Sequence, residues 1–164
     1  MISAVWGSPQ SCKTSVAAEL AMALSQADST VCLISSVDFS EMPLRFGVKI
    51  PPEQSISAAY QLPRQNIRSC VCEVSPNLFL LAPAAADSAL SLICTGRQAE
   101  ELLKAANAMF GNVIVDCTSW TPNALTGTAV SLCDYLLLTI SSKTSAYPWH
   151  ILVMCMMAQR KRKK

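Results

Sequence analysis

The feature that most constrains the fold of this chain is the segment 7–14, which reads GSPQSCKT and joins an apolar run to a helical pattern. The apolar run Ile2–Trp6 has the length of a buried strand, and Lys13–Ser25 repeats apolar residues at four-residue spacing, as a helix does. The intervening loop matches the pattern G-x-x-x-x-G-K-[ST] of phosphate-binding loops except at its second glycine. The order of strand, loop and helix therefore predicts an α/β fold with a phosphate site at the end of its first strand.

The residue types of this loop suit the binding of a nucleotide. Proteins hold nucleotide phosphates with backbone N–H groups, a helix N-terminus and a lysine. Gly7 is expected to turn the chain sharply by adopting a positive φ. Lys13 is placed to reach the β- and γ-phosphates, and the Thr14 hydroxyl to ligate Mg²⁺. The candidate residues for binding ATP and Mg²⁺ are Gly7, Ser8, Pro9, Gln10, Ser11, Cys12, Lys13 and Thr14.

Cys12 is the departure from the pattern, because it stands where the second glycine belongs. A Cβ and a sulfur atom at this position intrude on the space of the phosphate oxygens. Two interpretations follow: either the loop shifts and binds nucleotide with reduced affinity, or the site is degenerate and only the fold remains. In a third, Cys12 is a redox switch whose thiolate is stabilised by the helix N-terminus and Lys13.

Length and composition favour one domain. The chain has 164 residues, of which 51% are hydrophobic and 15% are charged, which suits an α/β protein whose central strands are buried on both faces. We predict a single domain over residues 1–159, followed by a disordered basic tail at 160–164. The net charge of +2 indicates no partner, but the tail carries five of the 13 basic residues and could attract DNA or an anionic surface.

The cysteines and the apolar runs bear on location. Eight cysteines are scattered through apparent strands and helices, which is typical of buried free thiols in a reducing cytosol. No signal peptide is visible at the start of the chain, and no stretch approaches the ~20 apolar residues that span a bilayer. We therefore expect a cytoplasmic protein.

The rest of the chain alternates between short apolar runs and helical patterns. Strands are predicted at Thr30–Ser36, Asn77–Ala82, Asn112–Cys117 and Tyr135–Ile140, and an extended segment at Ile67–Val74. Helices are predicted at Ser55–Gln61, Arg97–Phe110, Asn123–Cys133 and Tyr147–Gln159. Alternating strands and helices imply right-handed crossovers, and hence a doubly wound, mostly parallel sheet with helices on both faces.

Two aspartates follow predicted strands. Asp116 ends the run VIVD, and an acid at the carboxyl end of a buried strand beside the loop strand would hold Mg²⁺ together with Thr14. A turn or capping role is the alternative. Asp38 lies just past the second strand, where it could orient an attacking water or cap a turn, and it is the candidate catalytic residue.

Three segments resemble a known family: AVWGSPQSCKTSVAAELAMALS, TVCLISSVDFSEMP and NVIVDCTSW. They are similar to the ParA/MinD-like (SIMIBI-class) P-loop ATPases, in particular to divergent members from plasmids and mobile elements of Firmicutes. The resemblance implies a cytoplasmic ATPase that binds ATP and Mg²⁺ and dimerises face to face. Such proteins switch their affinity for a DNA or membrane surface and for a partner protein. The resemblance makes Gly7 to Thr14 the phosphate loop, Asp38 the switch I acid and Asp116 the Walker B acid.

The departures from this family are informative. Ser8 replaces a lysine that reaches across the dimer, no arginine lies near the loop in sequence, and Asp38 follows its strand by more residues than is usual. Family members are also longer, so we expect a C-terminally truncated member. We therefore expect ATP binding with weak or absent hydrolysis, in the partitioning or positioning of a plasmid or mobile element. The alternative is a non-catalytic relic or regulatory interaction module.

Overall fold

The six strands of the molecule form one sheet in the order β3-β4-β2-β5-β1-β6. The computed structural model describes residues 1–61, 67–87, 93–119, 123–142, 146–151 and 153. The strands are β1 (Ile2–Gly7), β2 (Val31–Ser35), β3 (Cys72–Ser75), β4 (Leu78–Leu81), β5 (Asn112–Asp116) and β6 (Tyr135–Thr139). The helices are α1 (Lys13–Gln26), α2 (Met42–Arg45), α3 (Ile56–Gln61), α4 (Ile67–Cys70), α5 (Gly96–Met109) and α6 (Ala124–Leu132). A 3₁₀ turn covers Pro52–Gln54, and residues 147–151 and 153 are helical.

All the neighbouring strands of this sheet are parallel except β3, which pairs with β4 in the antiparallel direction. Successive residues of the central strands alternate between two apolar clusters. In β1, Ala4 and Trp6 belong to one cluster and Val5 to the other, and in β5 Val113 and Ile114 divide in the same way. Helices α5 and α6 pack on the first cluster and α1 on the second. The predicted doubly wound, mostly parallel sheet is confirmed, and burial on both faces explains why its strands are continuous apolar runs.

The predicted strands are all present, each within one residue of its predicted ends, and the helices predicted up to Cys133 are present with similar bounds. The prediction of an extended segment over Ile67–Val74 is wrong in its first half, because Ile67–Cys70 forms α4. Ile67 and Cys70 are both buried, and a three-residue interval between buried positions is helical rather than extended. The loop predicted after β2 also contains a short helix, α2.

Two predicted segments lie partly or wholly outside the described residues. The helix predicted at Tyr147–Gln159 is helical over 147–151 and at 153, and its remaining residues lie outside the described ones. The basic tail at 160–164 lies outside them too, and the single domain over 1–159 stays a prediction. Among the described helices, none is long and apolar enough to cross a membrane.

The strand order places the ends of three strands side by side. β5 lies between β2 and β1, and Asp116 is in register with Val5 on one side and with Ser35 on the other. The loop that follows β1 and the segment that follows β2 therefore emerge next to the end of β5. This carboxyl edge is where parallel α/β sheets bind their ligands.

Candidate functional site

The loop between β1 and α1 is anchored to the end of β6. The Ser8 N–H donates to the carbonyl oxygen of Thr139 at 3.1 Å, and the Ser11 and Thr139 hydroxyls are bonded at 2.7 Å. The Ser8 hydroxyl accepts a further bond from the Ser141 N–H at 2.8 Å, and Ser8 is fully buried. The first half of the loop is thus held by its neighbour strand, and the Ser8 side chain is directed into the protein.

Gly7 is required by close packing rather than by its φ. The expectation of a positive φ at Gly7 is wrong, since Gly47 is the one glycine with a positive φ in the described part of the chain. A Cβ on Gly7 would instead collide with the Thr139 hydroxyl and lie 2.7 Å from the Thr139 carbonyl oxygen. Glycine is needed here because Thr139 of β6, its partner in the sheet, lies too close to leave room for a Cβ.

The left-handed conformation expected of a glycine occurs at Cys12 instead. Cys12 is the N-cap residue of α1, with φ 60° and ψ 21°, and Gln10 has φ 58°. A residue with a Cβ pays about 1–2 kcal/mol for this conformation, which glycine adopts freely. The Cys12 side chain is exposed and makes no capping hydrogen bond to α1. The backbone therefore keeps the geometry of the missing glycine, while the Cβ remains at the position where the sequence predicts an obstruction.

Asp116 is the most unusual group at this edge of the sheet. Its side chain is 1% exposed, yet neither carboxylate oxygen has a hydrogen-bond partner among the described residues. Burial raises the pKa of this carboxyl to about 6, whereas the Thr14 hydroxyl and the Lys13 ammonium lower it and Glu41 raises it further. The Thr14 hydroxyl thus lies near the carboxyl and lowers its pKa, but the two groups form no hydrogen bond of ordinary geometry. Lys13 and Thr14, which are far from Asp116 in sequence, thus lie close enough to it to lower its pKa.

The residues at this edge fit a magnesium-bound phosphate. A buried carboxylate without a donor is costly, and a bound cation would satisfy it. Carboxylate and hydroxyl oxygens are ligands that Mg²⁺ prefers, and Asp116 and Thr14 supply one of each. The hydroxyl of Ser35, beside Asp116 in the sheet, is also buried without a partner in the described chain. Lys13 and the first N–H groups of α1 supply the positive potential that a phosphate needs.

Asp38 lies elsewhere along the same edge. It is exposed, and it lines a cavity of about 420 Å³ with Phe39, Leu44 and Lys49 among its neighbours. Burial of the Tyr60 side chain is the main cause of its raised pKa, and the charge of Asp38 makes a smaller contribution. The acid that acts on Asp116 is instead Glu41. A catalytic role for Asp38 stays a prediction, and the structure adds Glu41 as a second acid near the site.

Sequence reasoning missed the groups that reach the loop from other elements. Thr139 and Ser141 hold the loop from the end of β6, and the Arg45 guanidinium donates to the Ser15 hydroxyl at 2.9 Å. No arginine lies near the loop in sequence, but Arg45 reaches the residue that follows the loop in the folded chain. No local pattern signals these contacts, because each depends on the order of the strands.

Comparison with known proteins identifies the fold. No family model matches this sequence, and no curated protein matches it. Solved structures do match, with identities of 17–18%. The septum site-determining protein MinD of Pyrococcus horikoshii, complexed with Mg-ADP, matches 96% of this chain with a TM-score of 0.75. A Cyanothece McdA variant in complex with ATP matches 99% with a TM-score of 0.75, and a ParA family ATPase of Chlorobium tepidum matches 95% with a TM-score of 0.73.

This chain spans 64% of the Pyrococcus horikoshii MinD, 65% of the McdA and 68% of the Chlorobium ATPase. The chain therefore has the ParA/MinD-like P-loop ATPase fold, and the fold implied by the resemblance of its sequence is confirmed. At these identities the likeness establishes the fold.

The close approach of β6 to Gly7 predicts that a larger residue at position 7 destabilises the folded protein. Gly7→Ala should lower the free energy of unfolding by about 1–3 kcal/mol, because the added methyl group displaces Thr139 or the loop. Gly127→Ala is the matched control: Gly127 lies inside α6, and a Cβ there meets no atom within 4 Å. The control should gain up to about 1 kcal/mol from helix propensity. Urea unfolding measures both, and equal effects would contradict the packing argument.

The buried carboxyl of Asp116 predicts how stability depends on pH. A folded-state pKa of about 6, above the unfolded value, means that the folded protein gains stability as the pH falls from above 6 towards 4. Above pH 6 the ionised carboxylate costs on the order of 3 kcal/mol. The free energy of unfolding of Asp116→Asn, relative to that of wild type, should therefore be higher at pH 8 than at pH 4. Urea titrations from pH 4 to 8 without divalent cations measure the difference, and a difference independent of pH would be evidence against the buried charge.

Proposed function

We propose that this chain is an ATP-binding P-loop protein of the ParA/MinD-like type. The observation that carries the proposal is the buried, unpartnered carboxylate of Asp116 beside Lys13 and Thr14. The residues Gly7 to Thr14 surround the phosphates, and Lys13 neutralises the β- and γ-phosphates. Thr14 and Asp116 hold the Mg²⁺ that accompanies the nucleotide.

The structure of α1 supports the binding of an anion at this place. The first N–H groups of a helix have no partners within the helix, and the side chain of the N-cap residue, Cys12, makes no capping hydrogen bond. The first turn of α1 carries no acidic residue, so nothing in the helix itself neutralises its positive end. Lys13 adds a full charge there. A nucleotide phosphate is a ligand that satisfies all these groups at once, and Mg²⁺ links it to Asp116.

Turnover by this site is proposed to be weak or absent. Catalysis of phosphoryl transfer depends on positive charge at the transition state, and one added cation is worth about 10³–10⁵ in rate. Ser8 brings no charge, and its buried hydroxyl is bonded to the Ser141 N–H. The proposed water-positioning acid, Asp38, is exposed, whereas the acid that raises the pKa of Asp116 is Glu41. The site is thus better equipped to bind nucleotide than to cleave it.

The biological role that this proposal implies is partitioning or positioning of a plasmid or mobile element in the cytoplasm. Solved structures with this fold include a septum site-determining protein and a plasmid partition protein of Borrelia burgdorferi. A homodimer is the proposed state of the nucleotide-bound protein. The basic segment 160–164 is proposed to add attraction to DNA or to an anionic surface, and the partner protein is unknown.

Cys12 favours a second candidate function, a module that keeps the fold and binds no nucleotide. Its Cβ occupies the position that glycine keeps clear in other phosphate loops, and its left-handed backbone is strained. In that case the carboxyl edge of the sheet serves only as an interaction surface. Nucleotide binding separates the two candidates.

Calorimetric titration with ATP and Mg²⁺ tests the proposed function. Wild-type protein should bind, and Lys13→Ala should lose at least about tenfold in affinity, or ~1.4 kcal/mol, because it removes a cation from the loop. Lys104→Ala is the control for loss of a lysine, since Lys104 lies on the exposed face of α5 and pairs with Glu100. No heat and no thermal shift for wild type at millimolar nucleotide would support the module without nucleotide.

Two further variants show whether Cys12 limits this affinity. Cys12→Gly removes the Cβ and the left-handed strain, and should bind nucleotide more tightly than wild type. Cys12→Ala keeps the Cβ and should bind like wild type. If both variants bind equally, the Cβ is no obstruction.

Phosphate release should be close to background even where nucleotide binds. The expected reasons are that Ser8 supplies no charge to the transition state and that Asp38 is exposed. A coupled assay at saturating ATP and Mg²⁺ measures the rate, with Asp116→Asn as the variant that lacks the metal ligand. A robust steady-state rate in wild type that disappears in Asp116→Asn would overturn the proposal of weak hydrolysis and indicate a working ATPase.

A further inference from the structure

The side chain of Arg45, on α2, reaches the first turn of α1, although the two helices are far apart in sequence. The Nη2 of Arg45 donates a hydrogen bond of 2.9 Å to the hydroxyl of Ser15. Ser15 directly follows Lys13 and Thr14, so the guanidinium reaches the same turn of α1 as the two loop residues proposed to bind phosphate and Mg²⁺.

The position of α2 is fixed by the core. Met42 is fully buried, in a cluster that contains Ala17 and Ala18 of α1 and Ile114 of β5. The N–H of Arg45 donates to the carbonyl oxygen of Glu41 at 2.9 Å, which keeps the segment helical. Arg45 is therefore carried to the α1 N-terminus by a segment that packing holds in place.

A second observation places this segment at the same site. Glu41, one helical turn before Arg45, acts electrostatically on Asp116. The two ends of the segment 41–45 thus lie near the same site, since Glu41 is close enough to raise the pKa of Asp116 and Arg45 is bonded to the first turn of α1. The contribution of Glu41 does not depend on the hydrogen bond between Arg45 and Ser15.

The charge balance at the α1 N-terminus calls for an anion. A helix N-terminus carries positive potential, so a cation there is unfavourable unless an anion lies between them. Lys13 and Arg45 both lie at this end, and the first turn of α1 has no acidic residue. Lys13 interacts electrostatically with Asp116, but neither cation forms a contact ion pair among the described residues. Arg45 has five donors and is exposed, so its guanidinium remains available to a ligand. Guanidinium groups bind phosphate oxygens in a two-pronged geometry that lysine cannot reproduce.

We propose that Arg45 is a second phosphate-binding cation of the nucleotide site, supplied from α2 and positioned by Ser15. The inference rests on the proposed function and deepens it, because it makes the site selective for a chain of phosphates over a single one. Lys13 and Arg45 reach the ligand from two elements, so a nucleoside diphosphate or triphosphate engages both, whereas a monophosphate has too little charge to engage them equally.

Titration of the full chain with ADP, ATP and AMP in the presence of Mg²⁺ tests this inference. Arg45→Ala should weaken the binding of ADP and ATP by about tenfold or more and should narrow the preference for ADP over AMP. It should also make the affinity less sensitive to salt, because one cation has been removed from the contact. Arg45→Lys should restore part of the affinity, and Ser15→Ala should weaken binding less than Arg45→Ala.

Arg68→Ala is the matched control, since Arg68 is an exposed arginine of α4; it should bind all three nucleotides like wild type. The unfolding midpoint of ligand-free Arg45→Ala should equal that of wild type, whereas a structural role for Arg45 would lower it. Unchanged ADP and ATP affinity in Arg45→Ala, with wild type binding normally, overturns this inference alone. A wild-type protein that binds no nucleotide overturns both this inference and the proposed function.

Discussion

The burial of one carboxylate at the end of β5 is the constraint around which this site is arranged. Asp116 cannot reach solvent, because β5 is flanked by β1 and β2 and covered on both faces by apolar clusters. Lys13 and the Thr14 hydroxyl lower the pKa of this carboxyl, but its burial outweighs them and leaves the pKa raised. The strand order thus buries a carboxylate that lacks a hydrogen-bond partner in the described chain next to a helix N-terminus whose first turn has no acidic residue. The carboxylate would be stabilised by a cation and the helix N-terminus by an anion. The magnesium nucleotide of the proposed function would supply both.

In the loop beside Asp116, close packing and the left-handed conformation occur at two different positions. Gly7 provides the close approach to β6 without an unusual φ, and Cys12 adopts the left-handed conformation without being glycine. Hydrogen bonds with Thr139 and Ser141 hold the first half of the loop in place. These contacts outside the loop help to maintain the strained backbone conformation of Cys12. Contacts with β6 thus help to set the shape of this loop before any ligand is bound.

The sequence predicts those features that depend on local periodicity or on the edge of a parallel sheet. The buried strands are recognisable because both of their faces are apolar, and Asp116 is recognisable because it ends such a strand beside the loop strand. What depends on tertiary contacts is not predictable in this way. The helical turn at Ile67–Cys70 owes its form to packing, and the need for glycine at position 7 arises from a strand more than a hundred residues later. Arg45 approaches α1 only because buried Met42 holds α2 there.

The central claim is that the loop and Asp116 form one site for a magnesium nucleotide, and the dependence of ADP affinity on Mg²⁺ tests it most directly. ADP is titrated into wild type and Asp116→Asn by calorimetry, once with Mg²⁺ and once with a chelator. If Asp116 holds the metal, Mg²⁺ strengthens binding to wild type and has little effect on Asp116→Asn, while the two proteins bind metal-free ADP similarly. An equal Mg²⁺ effect in both proteins would contradict the claim.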